Sequence, residues 1–185
     1  MQSEIVVPVA ARQEVAIAGK TPEGADAGAA GQLYLAFRLA GEVYAVDILR
    51  IREIIEYSLP TSVPMMPESV RGVINLRGSV VPIIDLAVRF GRDATGVGKR
   101  TCFVIIEVEY GRTKHILGVM VDGVNGVMDI GADRIEPPPS FGTDVDTRFI
   151  AGMARAEGRF VIILDVARVL SIAEMATIRS VSAGR

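Results

Sequence analysis

The feature that most constrains the fold is an internal repeat. Residues 71–90, RGVINLRGSVVPIIDLAVRF, lie over residues 151–170, AGMARAEGRFVIILDVARVL, at an offset of 80 residues. Gly72 meets Gly152 and Gly78 meets Gly158; Val81, Ile83 and Asp85 meet Val161, Ile163 and Asp165. Upstream the match is looser, with Gly41 near Gly111 and Val46-Asp47 near Val121-Asp122. Both blocks alternate apolar and small or polar residues with the two-residue period of a half-buried strand. An Arg-Gly or Glu-Gly pair breaks the alternation at the same place in each. The repeat therefore predicts two similar units, each a meander of short strands ending in a hairpin and a short helix capped by aspartate. A unit of about 75 residues is marginal alone because it buries too small a fraction of its surface. Two small β-barrels packed against each other solve that problem.

The rest of the chain fits this plan. Leu33, Leu35, Phe37 and Leu39 alternate with Tyr34, Ala36 and Arg38, and the run resumes from Val43 to Ile48 after Gly41-Glu42, a hairpin. LRIREIIEY suits either helix or strand. Pro60, Pro64 and Pro67 mark a loop, and PESVRG reads as one helical turn with Pro first. CFVIIEVEY, HILGVMVDGV and RFVIILDV are further strands, and Pro137, Pro138 and Pro139 impose an extended connector. Ser171 and Glu174 form a capping box that predicts a closing helix. Residues 1–31, rich in Ala and Gly without a sustained period, read as a disordered N-terminal tail, and 177–185 as a C-terminal tail.

Several functions are disfavoured at once. The net charge is −2 and no Lys/Arg run stands out, against the basic face that phosphate contacts require of nucleic-acid binders. Trp is absent and aromatics make up 5%, which argues against base stacking and against aromatic-walled grooves for proline-rich peptides. No apolar run has membrane-spanning length, the start MQSEIVVPVA lacks the basic residues of a signal peptide, and the single cysteine fits a reducing compartment. A cytoplasmic protein without direct membrane insertion is expected.

No candidate chemistry stands up. TGVGK at 95–99 has Asp93 at the first Gly position of a phosphate loop and Arg100 in place of the hydroxyl residue, and a strand follows; it reads as a mobile loop. Cys102 lies in a strand alternation, and His115 is the only histidine, so neither a nucleophile–base pair nor a tetrahedral metal site is supplied. DGVNG at 122–126 lacks calcium-loop spacing and reads as strand-edge chemistry, with Asn125-Gly126 suited to positive φ. Asp85 and Asp165 recur at one repeat position and read as helix caps. No catalysis, cofactor or metal is expected. What stands out is Arg77, because Glu157 replaces it in the second unit. Pro82 likewise gives way to Ile162, and only a strand edge or bulge tolerates it.

GVINLRGSVVPIIDL, preceded by VDILRIREI and followed by HILGVMVDGVNGVM, resembles the CheW family of chemotaxis coupling proteins over residues 32 to about 176. The resemblance implies two SH3-like five-stranded β-barrels side by side, with short helices and a C-terminal helix. It implies a non-enzymatic adaptor that couples the cytoplasmic tip of methyl-accepting chemotaxis receptors to the CheW-like domain of the histidine kinase CheA, in membrane-associated arrays. A scaffold of another chemosensory pathway, pilus motility included, is one alternative, and a generic peptide-binding β-barrel module is a second. Carried over by position, the receptor-binding residues are Ile51 and Glu53, the turn Asn75-Leu76-Arg77-Gly78, and Gly118, Val124 and Val127, lining a groove between the barrels. Arg77→Glu is then expected to weaken coupling while the thermal midpoint moves little. Gly78→Val is expected to damage the fold.

Overall fold

The computed structural model describes residues 7–8, 31–140 and 145–169. Twelve strands and two short helices follow one another as β1 (Val7–Pro8), β2 (Gln32–Leu39), β3 (Glu42–Asp47), β4 (Ile51–Glu56), β5 (Val70–Leu76), β6 (Ser79–Asp85), α1 (Leu86–Arg89), β7 (Cys102–Tyr110), β8 (Thr113–Val121), β9 (Gly123–Ile130), β10 (Ile135–Glu136), β11 (Ile150–Ala156), β12 (Arg159–Leu164) and α2 (Val166–Val169). They form two sheets with the orders β1-β4-β7-β8-β6-β5 and β10-β11-β12-β3-β2-β9. Each curls into a barrel of five longer strands, with β1 and β10 as two-residue additions.

These orders confirm the repeat but overturn the expectation that each half of the chain is its own meander. The first barrel takes β4, β5 and β6 from the first repeat but β7 and β8 from the second. The second barrel takes β9, β11 and β12 from the second repeat but β2 and β3 from the first. Each unit thus lends its leading hairpin to the other. The two parallel contacts that receive the lent hairpins are equivalent, Ile83 facing Gly118 and Ile163 facing Ala45. The reason is burial. The lent hairpins show apolar residues on both faces, so they need a barrel interior on one side and the other barrel on the other.

The core reflects this exchange. The largest cluster of buried side chains runs between the barrels, joining Leu35, Phe37, Tyr44 and Val46 of the lent hairpin to Ile84, Val104, Ile106, Leu117 and Val119. Tyr44 stacks on Phe37 and on Phe90, and Phe90 also meets Phe149. Smaller clusters fill each barrel: Val81, Ile83, Phe103, Ile105 and Met120 in the first, and Tyr34, Ala36, Ala45, Val161 and Ile163 in the second.

Both aspartates cap helices as the repeat predicts. Asp85 Oδ1 accepts from the Ala87 amide at 3.0 Å, and Asp165 Oδ1 from the Ala167 amide at 3.1 Å. Their own amides donate to equivalent carbonyls, Ser69 and Phe149. Asp85 also accepts from the Thr95 amide at 2.9 Å and the Thr95 hydroxyl at 2.7 Å. The loop at 95–99, expected to be mobile, is therefore fastened to a buried carboxylate.

Other expectations resolve locally. The ambiguous LRIREIIEY is a single 3₁₀ turn at Ile48–Arg50 followed by strand. PESVRG forms no helix; the Val70 amide donates to the Pro67 carbonyl, a lone turn. Pro82 lies in β6 before the pairing with β8 begins at Ile83, so its missing N–H costs no bond on that side. Gly126 has φ +133° and forms a bulge in which Asn125 is the extra residue. Within residues 1–31, expected to be disordered, Val7 and Pro8 pair antiparallel with Ile54 and Glu53. The closing helix expected after Ser171 and the tail at 177–185 lie outside the described residues.

Candidate functional site

The hairpin turn between β5 and β6 is two residues long. Arg77 has φ +50° and Gly78 φ +86°, the type I′ geometry whose twist matches that of the flanking strands. Leu76 faces Ser79 across the turn, and Asn75 Oδ1 accepts from the Gly78 amide at 2.8 Å. An Asn at this position satisfies a turn donor that the ladder leaves free. The positive φ at Gly78 agrees with the expectation that a β-branched residue there harms the fold.

From this turn Arg77 reaches β4. Its two terminal nitrogens donate to the two oxygens of Glu53 at 3.1 and 2.9 Å, a bidentate fork. Glu53 keeps only 7% of its side chain exposed, while Arg77 keeps 63%. Because β4 and β5 are the end strands of the five that curl into the first barrel, the pair fastens the opening of that barrel. This geometry argues against the expectation that Arg77→Glu moves the thermal midpoint little: the new carboxylate would face a buried one.

A bulge sets Glu53 in place. Ile51 faces Ile106 and Glu53 faces Ile105, so Arg52 is the extra residue on β4. Ile51 and Ile54 pack against the inter-barrel core, whereas Ile55 packs against the core of the first barrel. Glu53, two residues before Ile55, shares that barrel-side face. Arg52 turns outward to Glu107, which Lys114 also contacts at 2.8 Å. The hydrogen bond from Lys114, assisted by Arg52, holds the Glu107 carboxyl below the ordinary carboxylate value.

The other expected site residues do not all join this cluster. Ile51 is buried between the barrels, and Val124 packs against the same core. Val127, on β9 of the other sheet, is 54% exposed. Gly118 is interior: a Cβ there would lie 2.4 Å from Ile83 Cδ1, so it lets β8 approach β6. Val80, not among the expected residues, faces Asn75 beside the turn and is partly exposed. The alternation in SVVPII carried that signal, since Val80 and Val81 must point to opposite faces.

Cys102 and His115 lie at opposite ends of the β7–β8 ladder, Cys102 facing Val121 and His115 facing Val108. Six residues of strand separate them, about 20 Å. Burial pushes the Cys102 thiol up, partly offset by a hydrogen bond with the Val124 backbone. No helix among the described residues is long and apolar enough to cross a membrane.

Two interlocked barrels of five longer strands, with the Arg77 turn fastened to Glu53, define a double β-barrel protein. The family model of the CheW-like domain matches residues 33–174, and the chain belongs to the CheW family. It is 36% identical over 152 residues to the chemotaxis protein CheW of Klebsiella aerogenes, covering 82% of this chain and 89% of that one. It is 31% identical over 136 residues to the chemotaxis protein CheW of Rhizobium meliloti, covering 74% and 85%. Among solved structures, the scaffolding protein TtCheW from Thermoanaerobacter tengcongensis superposes with a TM-score of 0.69 at 34% identity, covering 78% of this chain and 95% of that chain.

Proposed function

We propose that this chain is a chemotaxis adaptor that bridges the cytoplasmic tip of methyl-accepting receptors to the CheW-like domain of the kinase CheA. It would work in the cytoplasm and be recruited to membrane-associated arrays. Membership of the CheW family, with relatives named as chemotaxis proteins and one as a scaffold, supports the role. The observation that carries the site is the bidentate Arg77–Glu53 pair at the mouth of the first barrel. It holds a charged turn in one geometry beside Val80, with apolar Val127 exposed on the other sheet. An amphipathic receptor helix would set apolar residues on such flanks and meet the charge at the rim, where it fixes orientation more than affinity. Receptor state would then reach the kinase through contact geometry, as a small coupling free energy.

Cosedimentation with a receptor cytoplasmic fragment and with CheA tests the reading. Both are expected to bind with dissociation constants at or below about 50 μM, roughly −6 kcal/mol. Binding of neither at that concentration overturns it.

A further inference from the structure

β4 is the end of the five-strand barrel sheet, so its outer edge carries unpaired backbone groups that need a partner. In the structure that edge is occupied by the chain itself. Val7 faces Ile54 and Pro8 faces Glu53, antiparallel, immediately past the Arg52 bulge. The sequence around the contact, EIVVPV, is a β-branched run suited to an extended conformation. The equivalent strand of the second barrel, β9, ends its sheet with no further strand among the described residues. The cover is therefore specific to the barrel that carries the Arg77–Glu53 pair.

We propose that the outer edge of β4 is a strand-docking site whose resident ligand is the N-terminal segment centred on Val7–Pro8, and that this segment screens the Glu53 side of the site until a partner displaces it. The screening half rests on the receptor-coupling reading above; the docking half does not. One feature makes the segment a displaceable cover and not a permanent strand: of the two paired residues described, one is a proline that brings no N–H to a ladder. Covalent linkage offsets this weakness, because an intramolecular ligand acts at an effective concentration on the order of millimolar. A partner that approaches Glu53 has to clear this backbone first, whether it offers a helix or a strand.

Two full-length variants push the contact in opposite directions. Val7→Pro puts a second proline into the pairing and loosens the strand, whereas Pro8→Val raises its β-propensity and tightens it. Amide hydrogen exchange at whichever of Glu53 and Ile54 turns its N–H toward β1 and not β7, read by NMR on the protein alone, is expected to be about five-fold faster in Val7→Pro and slower in Pro8→Val. Identical exchange in all three proteins overturns the docking. Affinity for a receptor cytoplasmic fragment is expected to rise about three-fold in Val7→Pro and to fall in Pro8→Val. Altered exchange with unaltered affinity overturns the screening. Altered exchange with no receptor binding by any of the three supports the docking and overturns the receptor reading.

Discussion

The two hairpins at the heart of the repeat share a backbone and differ in what they carry. Arg77-Gly78 and Glu157-Gly158 have nearly the same turn, with φ +50° and +86° in one and +50° and +75° in the other. Strand β4, next to the first turn, is related to β9 next to the second, and both are bulged. In register, Glu53 corresponds to Gly126, so where the first barrel has Arg77 on Glu53 the second has Glu157 and a glycine without a side chain. The second hairpin is decorated instead by Arg155, whose guanidinium lies 4.9 Å from the centre of the exposed Phe160 ring. One scaffold thus presents two different faces. The backbone geometry belongs to the fold, and the side chains at the turn are free to specialise.

The same asymmetry runs through the paired positions beneath the turns, and substitutions there sharpen it. The largest difference is expected at Gly72 against Gly152. Gly72 has φ +138°, and a Cβ there would lie 2.3 Å from the Thr61 carbonyl oxygen. Gly152 carries no such φ, and its Cβ would first meet the methyl Cγ2 of Ile135 at 2.4 Å, a side-chain and not a backbone atom, with the Glu136 carbonyl oxygen next at 3.2 Å. Gly72→Ala should cost about 4 kcal/mol by denaturant unfolding and Gly152→Ala roughly half of that. Both glycines follow a bulge, between Val70 and Gly72 and between Ile150 and Gly152, and equal costs would show the two bulges to be interchangeable.

Asp85 and Asp165 give the next contrast. Both cap a helix, but Asp85 is fully buried and also holds the Thr95 amide and hydroxyl, whereas Asp165 is partly exposed and pairs with Arg168. Asp85→Ala removes a cap and orphans buried donors, about 3 kcal/mol in all. Asp165→Ala should cost only about 1 kcal/mol, the cap alone. A thermal midpoint lowered equally by both would break the comparison.

The smallest difference lies at the turns themselves. Arg77→Ala leaves a buried carboxylate without its cation and should cost about 1.5 kcal/mol. A double-mutant cycle with Glu53→Ala should recover about 1 kcal/mol of coupling. Glu157→Ala should stay within about 0.5 kcal/mol. Coupling near zero in the cycle would reduce Arg77 to an ordinary exposed turn residue.

Much of this was legible in the sequence because it depends on local pattern. The repeated glycines and aspartates marked bulges, turns and caps, and the failure of Arg77 to recur singled it out. Two things were not legible. Which repeat a hairpin joins is a long-range choice made by burial on both faces of β2–β3 and β7–β8, and periodicity is blind to it. The bulge at Arg52 was hidden because IREI reads as clean alternation. Only the paired register shows that Ile51 goes to the inter-barrel core and Glu53 to the barrel mouth. Gly118 shows the opposite error, a buried packing glycine assigned to a surface by position alone.

The exchange of hairpins has a consequence for how the molecule is born. Strand β3 completes its ladder only against β12, where Val43 meets Val161, so the hairpin of β2 and β3 waits until translation has passed residue 161. At ordinary ribosomal speeds that wait is on the order of 10 s, during which an apolar hairpin has no barrel to join. The first barrel, β4 to β8, is contiguous and has all its strands once Val121 is made, whereas the second cannot close before β12 arrives. The second barrel therefore forms late, in a slow event dominated by distant contacts.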